Sequence, residues 1–220
     1  HASIRWKKQQ LEPGIRFLIS SLAQKMDENN DDGWFFDVGA NVGLYVWEVN
    51  KLCPNRKILA FEPDPENFKL LEMTLKEANL QNLELCQDGL SNKTAEVSFS
   101  QDLLTSATGC ISGKDKPWIE QYLNTSTNQI SVNTRTMDTE DRDNKIPSLI
   151  KIDVEGHEVE VLEGAVNILT KRKPLLIIES FPPKQKKVIS ILKEHGKYEE
   201  AIDAYSQAIS IKPDYFEAYN

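Results

Sequence analysis

The stretch "FFDVGANVGLYVWEVN", residues 35–50, decides how the rest of the chain is read. A short apolar run ends in Asp37, Gly39 and Gly43 follow, and a helical pattern begins at once. A strand that passes through a glycine-rich turn straight into a helix lets backbone and helix N-terminus approach a ligand closely. Gly39 and Gly43 remove side chains where contact would occur, and Asn41 between them tolerates left-handed geometry better than most residues. The spacing is G-x-x-x-G rather than the G-x-G-x-x-G of dinucleotide-binding turns, and no Lys-Ser/Thr follows, which excludes a P-loop. An acid at the strand end would repel phosphate, so Asp37 suits a cationic ligand.

Working outward, apolar runs alternate with helical patterns. "WFFDV" (34–38), "KILAFE" (57–62), "LELCQ" (83–87), "SLIKID" (148–153) and "PLLIIES" (174–180) read as five strands. Residues 42–52 read as a helix that stops near Pro54. Asp64-Pro65 starts another, with Asp as N-cap and Pro at the first helical position, and Phe68, Leu71, Leu75 and Ala78 mark its inner face. Val159, Leu162, Val166 and Leu169 mark a third. Strand and helix alternating at this spacing predict an α/β fold with a doubly wound, mostly parallel sheet buried on both faces.

Three segments depart from that rhythm. Within residues 10–26, Ile15, Leu18, Ile19 and Leu22 recur at helical spacing and predict an amphipathic helix packed on the domain. Residues 90–147 form an insertion in which "AEVSF" (95–99) and "QISVNTRTM" (129–137) alternate like exposed strands around the polar "TSATGCISGKDK" (105–116). Long insertions in compact domains are usually functional, so a flap near the active site is expected here, with Thr105–Gly109 closing over a ligand. The end of the chain, "GKYEEAIDAYSQAISIKPDYFEAYN", resembles the second half of a tetratricopeptide repeat through Gly196, Tyr198, Ala201, Tyr205, Ala208 and Pro213. A lone repeat cannot bury its own apolar face, so residues 184–220 are expected to dock on the domain, to pair with a protein partner or a second copy, or to belong to a longer repeat array. The expected organisation is an N-terminal helical extension (1–33), an α/β domain (34–183) and a helical appendage (184–220). His195, before Gly196, reads as a helix C-terminal residue.

Two further acids extend the pattern set by Asp37. Glu62 ends the second apolar run, where a doubly wound fold places an acid against the ribose hydroxyls of an adenosine. Asp88 follows the third and is placed to read an adenine amino group. Negative side chains at successive strand ends, with an adenosine and a cation to satisfy, point to S-adenosylmethionine. The candidate cofactor site comprises Asp37, Gly39, Ala40, Asn41, Gly43, Glu62, Pro63, Asp88 and Gly89.

Composition narrows the alternatives. A net charge of −8 argues against a nucleic-acid backbone as partner. With 40% hydrophobic and 27% charged residues the chain reads as globular. No apolar run is long enough to span a bilayer, so no membrane partner is expected. Residues 1–10 lack the apolar segment of a secretory leader, and Cys53, Cys86 and Cys110 show no metal spacing; structural thiols in a cytoplasmic setting are expected, with no metal.

"FDVGANVGLY" (36–45), "FEPDPENF" (61–68) and above all "LIKIDVEGHEVEVLEGA" (149–165) resemble the FkbM family of S-adenosylmethionine-dependent methyltransferases over residues 34–181. The resemblance implies a Rossmann-like methyltransferase fold and O-methylation of a small-molecule or glycan hydroxyl, as on sugars or secondary metabolites. It implies that Asp37, Gly39, Asn41 and Gly43 hold the methionine part, that Glu62 holds the ribose and that Asp88 lies near the adenine. In "KIDVEGHE", Asp153 would face the methionine end and the acceptor, and Glu155 or His157 would take the hydroxyl proton. Such folds usually close their sheet with a β-hairpin after the fifth strand, whereas "FPPKQKKVISILKEHG" (181–196) continues as a helical pattern. A scaffold role for the tail is the alternative of a different class.

Overall fold

The apolar runs pair side by side in one sheet. The computed structural model describes residues 13–78, 80–102, 109–111, 127–180 and 184–195. Strands β1 (Trp34–Val38), β2 (Ile58–Phe61) and β3 (Leu83–Cys86) lie to one side; β8 (Pro147–Ile152) and β9 (Leu175–Ile178) lie to the other. The order is β3-β2-β1-β8-β9, with every neighbour parallel. Chain order therefore reverses direction beside β1, between β1 and β8.

Alternation along each strand feeds two cores. Phe35, Ile58, Ala60 and Leu149 face helices α1 (Pro13–Glu28), α2 (Leu44–Leu52) and α3 (Pro65–Ala78), meeting Ile19, Ala23, Val46, Val49 and Leu71. Phe36, Leu59, Phe61, Ile150 and Ile152 face the other way, against Leu162 and Ile168 and against Val188 and Leu192 of a C-terminal helix, Gln185–Glu194. Burial on both faces is why these strands are apolar without a polar rhythm. The sheet is doubly wound, as the alternation predicts.

Some expectations shift in detail. In α1, Ile19 and Ala23 are the buried pair, while Ile15 and Leu18 stand exposed beside Phe17. Leu71 of α3 is buried and Ala78 is exposed. Asp64 does cap α3, accepting from the Glu66 and Asn67 N–H groups at 2.9 and 3.4 Å. The single helix expected over 158–169 breaks in two. A Cβ on Gly164 would sit 2.0 Å from the Ser91 carbonyl oxygen, and this close crossing separates an α-helix at Glu158–Glu163 from a π-helical turn at Ile168–Arg172.

The insertion supplies a second sheet. Strands β4 (Gly89–Leu90), β5 (Ala95–Asp102), β6 (Cys110–Ile111) and β7 (Thr127–Arg135) run in the order β4-β7-β5-β6. β5 and β7 form a long antiparallel ladder from Ala95↔Thr134 to Asp102↔Thr127. They are not simply exposed: Phe99, Ser100, Val132 and Thr134 are buried. Helix α4 (Asp138–Arg142) leads back to β8, and α5 (Glu158–Glu163) and α6 (Gln185–Glu194) complete the described fold. Among the described residues α6, rather than a hairpin, follows β9. The N-terminal twelve residues, most of the expected flap and the repeat-like tail beyond residue 195 lie outside the described residues. No helix among the described residues is long and apolar enough to cross a membrane.

Candidate active site

A cleft opens along the C-terminal ends of β1, β2 and β8, at the reversal of strand order where open parallel sheets take their ligands. It encloses about 640 Å³ of space when its open mouth is counted. Of the residues expected from the sequence, Gly39, Asn41, Glu62, Pro63, Gly89, Asp153 and Glu155 line it. Asn67, from the "FEPDPENF" stretch on α3, also lines it, as do Phe99, Cys110 and Ile111, whose positions in the second sheet carried no motif.

The floor is the turn after β1. Gly39, Asn41 and Gly43 all take positive φ, at 76°, 52° and 83°. The turn satisfies its own N–H groups. Gly39 and Ala40 both donate to the Phe61 carbonyl (3.0 and 2.9 Å), and Gly43 donates to the Ala40 carbonyl (2.8 Å). Asn41 donates to Glu62 Oε2 (2.7 Å), and Val42 donates to the Asn41 side-chain oxygen (2.8 Å). A phosphate cradle needs such donors free; here they are used within the protein. Ala40 is itself buried, and Gly43 packs under Leu71 and Trp47 rather than lining the cleft.

Glu62 is 5% exposed, and its other oxygen accepts from the Asp64 N–H (2.9 Å). Each oxygen keeps a lone pair beyond its backbone bond. Burial pushes this carboxyl up to about 7 against the pull of the Asp64 and Asn41 N–H groups. Such a group suits neutral hydroxyl donors.

Three expected residues are turned elsewhere. Asp37 does not line the cleft: it is 0% exposed, and its Oδ1 lies 3.2 Å from the ammonium of Lys151, its register partner on β8. The cation that this acid requires belongs to the chain. Asp88 does not line the cleft and instead lies 3.9 Å from Arg135; Gly89, wedged between Pro63 and Ile111, takes its place there. His157 contacts Ser91 Oγ through Nε2 (3.0 Å) and lies near Glu160 (3.6 Å to Nδ1), off the cleft, with burial lowering its pKa.

Asp153 and Glu155 remain at the end of β8. Asp153 is partly exposed to the cleft and lies 3.6 Å from Lys151. Glu155 takes φ 50° ahead of Gly156 at φ 94°, a left-handed turn that non-glycine residues adopt at a cost and that functional sites often retain. Burial, then the neighbouring Asp153, Glu179 and Glu158 carboxylates, push Glu155 up to about 8. Among the described residues no group of three or more His, Cys, Asp and Glu is arranged to hold a metal.

Glu62 and Glu155 make the fold pH-sensitive in a defined direction. Both folded pKa values lie above the unfolded value of 4.5, so each stabilises at low pH and that contribution is lost as pH rises through about 7 and about 8. The depressed His157 acts only below its usual 6.5. From pH 6.5 to 8 the fold is expected to lose about 2 kcal/mol, or roughly 4–8 °C in Tm. Melts across that window check this, and Glu155→Gln should remove most of the slope. A Tm that stays level or climbs there would mean neither carboxyl keeps its proton in the fold.

Residues 37–198 match the family described as the methyltransferase FkbM domain, and residues 190–220 match a TPR repeat. Methyltransferase 1 of Beauveria bassiana is 26% identical over 146 residues, covering 61% of this chain and 59% of that protein. Hexuronic acid methyltransferase AglP of Haloferax volcanii is 29% identical over 147 residues, covering 66% of this chain and 54% of that protein. The chain thus spans little more than half the length of these relatives. A crystal structure of an FkbM methyltransferase from Methylobacillus flagellatus is similar with a TM-score of 0.49 at 19% identity, over 84% of this chain and 38% of that one. With a match that runs from the end of β1 through α6 and takes in the cleft, the chain belongs to the FkbM methyltransferase domain family.

Proposed function

We propose that this protein binds S-adenosylmethionine in the cleft and methylates a hydroxyl oxygen of a sugar or secondary-metabolite acceptor. One observation carries the reading. Glu62, buried and anchored by two backbone donors, sits beside a glycine turn whose N–H groups are already used. That pairing favours a polyhydroxyl ligand with a positive end over a phosphate-bearing one. The residues fit the cofactor. Glu62 would accept from the ribose hydroxyls, Gly39 lets the chain approach the methionine part without a side chain, and Pro63 and Gly89 flank the base. Asp153 offers the negative charge that Asp37 does not.

When bound, S-adenosylmethionine supplies a methyl group on a sulfonium, open to in-line attack. The chain's part is to position the acceptor and handle its proton. Glu155 is the candidate for that proton: with its carboxyl near 8 it accepts from a hydroxyl only in its ionised form, so this step gains with rising pH. His157, off the cleft, is not given that role. The curated relative named for a hexuronic acid supports a sugar-type acceptor.

A calorimetric titration with S-adenosylmethionine and with NAD tests the reading. Micromolar binding of the first alone is expected. Asp153→Ala is expected to lower kcat roughly 10- to 100-fold, with a smaller change in cofactor affinity; unchanged turnover would remove Asp153 from the reaction. The repeat match at 190–220 supports a second role, docking of a protein partner through residues 184–220. Failure to bind S-adenosylmethionine would leave that as the leading reading.

A further inference from the structure

Lys151 is a charged residue, next to last in β8, whose chain neighbours Ile150 and Ile152 are apolar. It is 4% exposed, and neither it nor Asp37 lines the cleft. Its ammonium is surrounded by functional groups. It donates to the Gly39 carbonyl at 2.9 Å, lies 3.2 Å from Asp37 Oδ1 and 3.6 Å from Asp153 Oδ2, and stands 4.9 Å from the centre of the Tyr45 ring. Of these partners, Gly39 and Asp153 do line the cleft. One buried cation thus ties together, from below, the glycine turn of β1 and the acid at the end of β8.

We infer that Lys151 is a positioning residue for the cofactor's methionine end: with Asp37 as its counter-ion, it holds the Gly39 carbonyl and the Asp153 carboxylate in fixed relation under the ligand. This rests on the function proposed above. The charges support the division of labour. Asp37 and Lys151 cancel, so the set of three carries the single negative charge of Asp153, which is the group open to the cleft. Asp37 is the counter-ion of this buried ammonium, and Lys151 in turn opposes the burial that pushes the Asp37 carboxyl above its usual range. Tyr45 on α2 closes the fourth side and adds a cation–π contact.

The double variant Asp37→Asn/Lys151→Met separates this role from simple charge neutralisation. It removes both partners of the buried pair, which proteins generally tolerate far better than removal of one. It also leaves the net charge of the three positions at −1, so no electrostatic difference toward a cationic ligand is introduced. If Lys151 positions the floor, the double variant of the full chain keeps a Tm within about 5 °C of the wild type. It also binds S-adenosylmethionine roughly tenfold or more weakly in calorimetry, the size expected for a lost charge-assisted hydrogen bond. Lys151→Arg, which retains a donor and a charge, should recover part of the affinity. An affinity for the double variant within about twofold of wild type would overturn the inference and leave Lys151 as nothing more than the counter-ion of Asp37. A wild-type protein that binds no S-adenosylmethionine would overturn the function proposed above and this inference with it. Equal losses in the double variant and in Lys151→Arg would also overturn it, since a conservative donor would then do no better than none.

Discussion

Glu62→Ala is expected to bind S-adenosylmethionine roughly 100- to 1,000-fold more weakly than the wild type. Two losses combine. The carboxylate accepts from the Asn41 and Asp64 N–H groups, so it fixes both the glycine turn and the start of α3. It also supplies the acceptors for the ribose hydroxyls in the function proposed above. Charge-assisted bonds of this kind are each worth about 1.5–3 kcal/mol, and a buried donor left without its acceptor carries a cost of its own. The fold should respond much less than the affinity. Removing a carboxyl that burial has already pushed up to about 7 relieves a desolvation penalty while orphaning two donors. Glu62→Gln keeps one oxygen but faces one backbone donor with an amide NH₂, so about a tenfold loss is expected. Calorimetry on the three proteins at one pH checks this. A Glu62→Ala affinity within about threefold of wild type would mean that the ligand does not use this carboxylate.

The sheet was legible because its signals are local. The central strands β1, β2 and β8 are short apolar runs buried on both faces, and each is followed at once by a Gly or an acid. Glu62, Gly39, Asn41 and Asp153 could be placed for the same reason: they follow the C-terminal ends of β1, β2 and β8, beside the reversal of strand order. What adjacency cannot tell is which way each side chain turns. Asp37 and Lys151 come from distant parts of the chain and meet only through the β1–β8 register. A signal was present, however: a lysine inside "LIKID" and an aspartate inside "FFDV" are charges in strands with no wet face, and each requires a buried partner. Asp88 and His157 stand off the cleft for the opposite reason. Their partners, Arg135 and Ser91, lie in the insertion and at its start, where β4 pairs with β7 through contacts between separated segments. The broken helix at Gly164 has the same origin, a crossing with the Ser91 backbone that periodicity cannot register.

Gly39→Ala is expected to cost about 4 kcal/mol, enough to lower Tm by roughly 8–16 °C, and Gly43→Ala about half as much. The two glycines share a left-handed backbone, at φ 76° and 83°, and an L-residue there costs roughly 1–2 kcal/mol. What differs is the obstacle. A Cβ on Gly39 would lie 1.9 Å from the Asp153 carbonyl oxygen and 3.0 Å from its carbon, both main-chain atoms. Neither strand end can move away cheaply. The Asp153 N–H donates to the Val38 carbonyl (3.1 Å), the Gly39 N–H to the Phe61 carbonyl (3.0 Å), and Lys151 holds the Gly39 carbonyl (2.9 Å). Making room means prising β1 from β8 at the point where the cleft floor is formed, so cofactor binding should fail together with stability. A Cβ on Gly43 would instead meet the tip of Leu71 at 2.5 Å and the Trp47 indole at 3.3 Å. A leucine tip can rotate at the cost of some core packing, which is worth about 1–3 kcal/mol in a buried site. Thermal melts of the two variants beside the wild type make the comparison directly. Equal losses would mean that the left-handed backbone alone sets the penalty and that the approach of β8 to the glycine turn is looser than 1.9 Å implies. A Gly39 variant that melts like the wild type would mean that the turn after β1 does not take this conformation, and the cleft built on it would lose its floor.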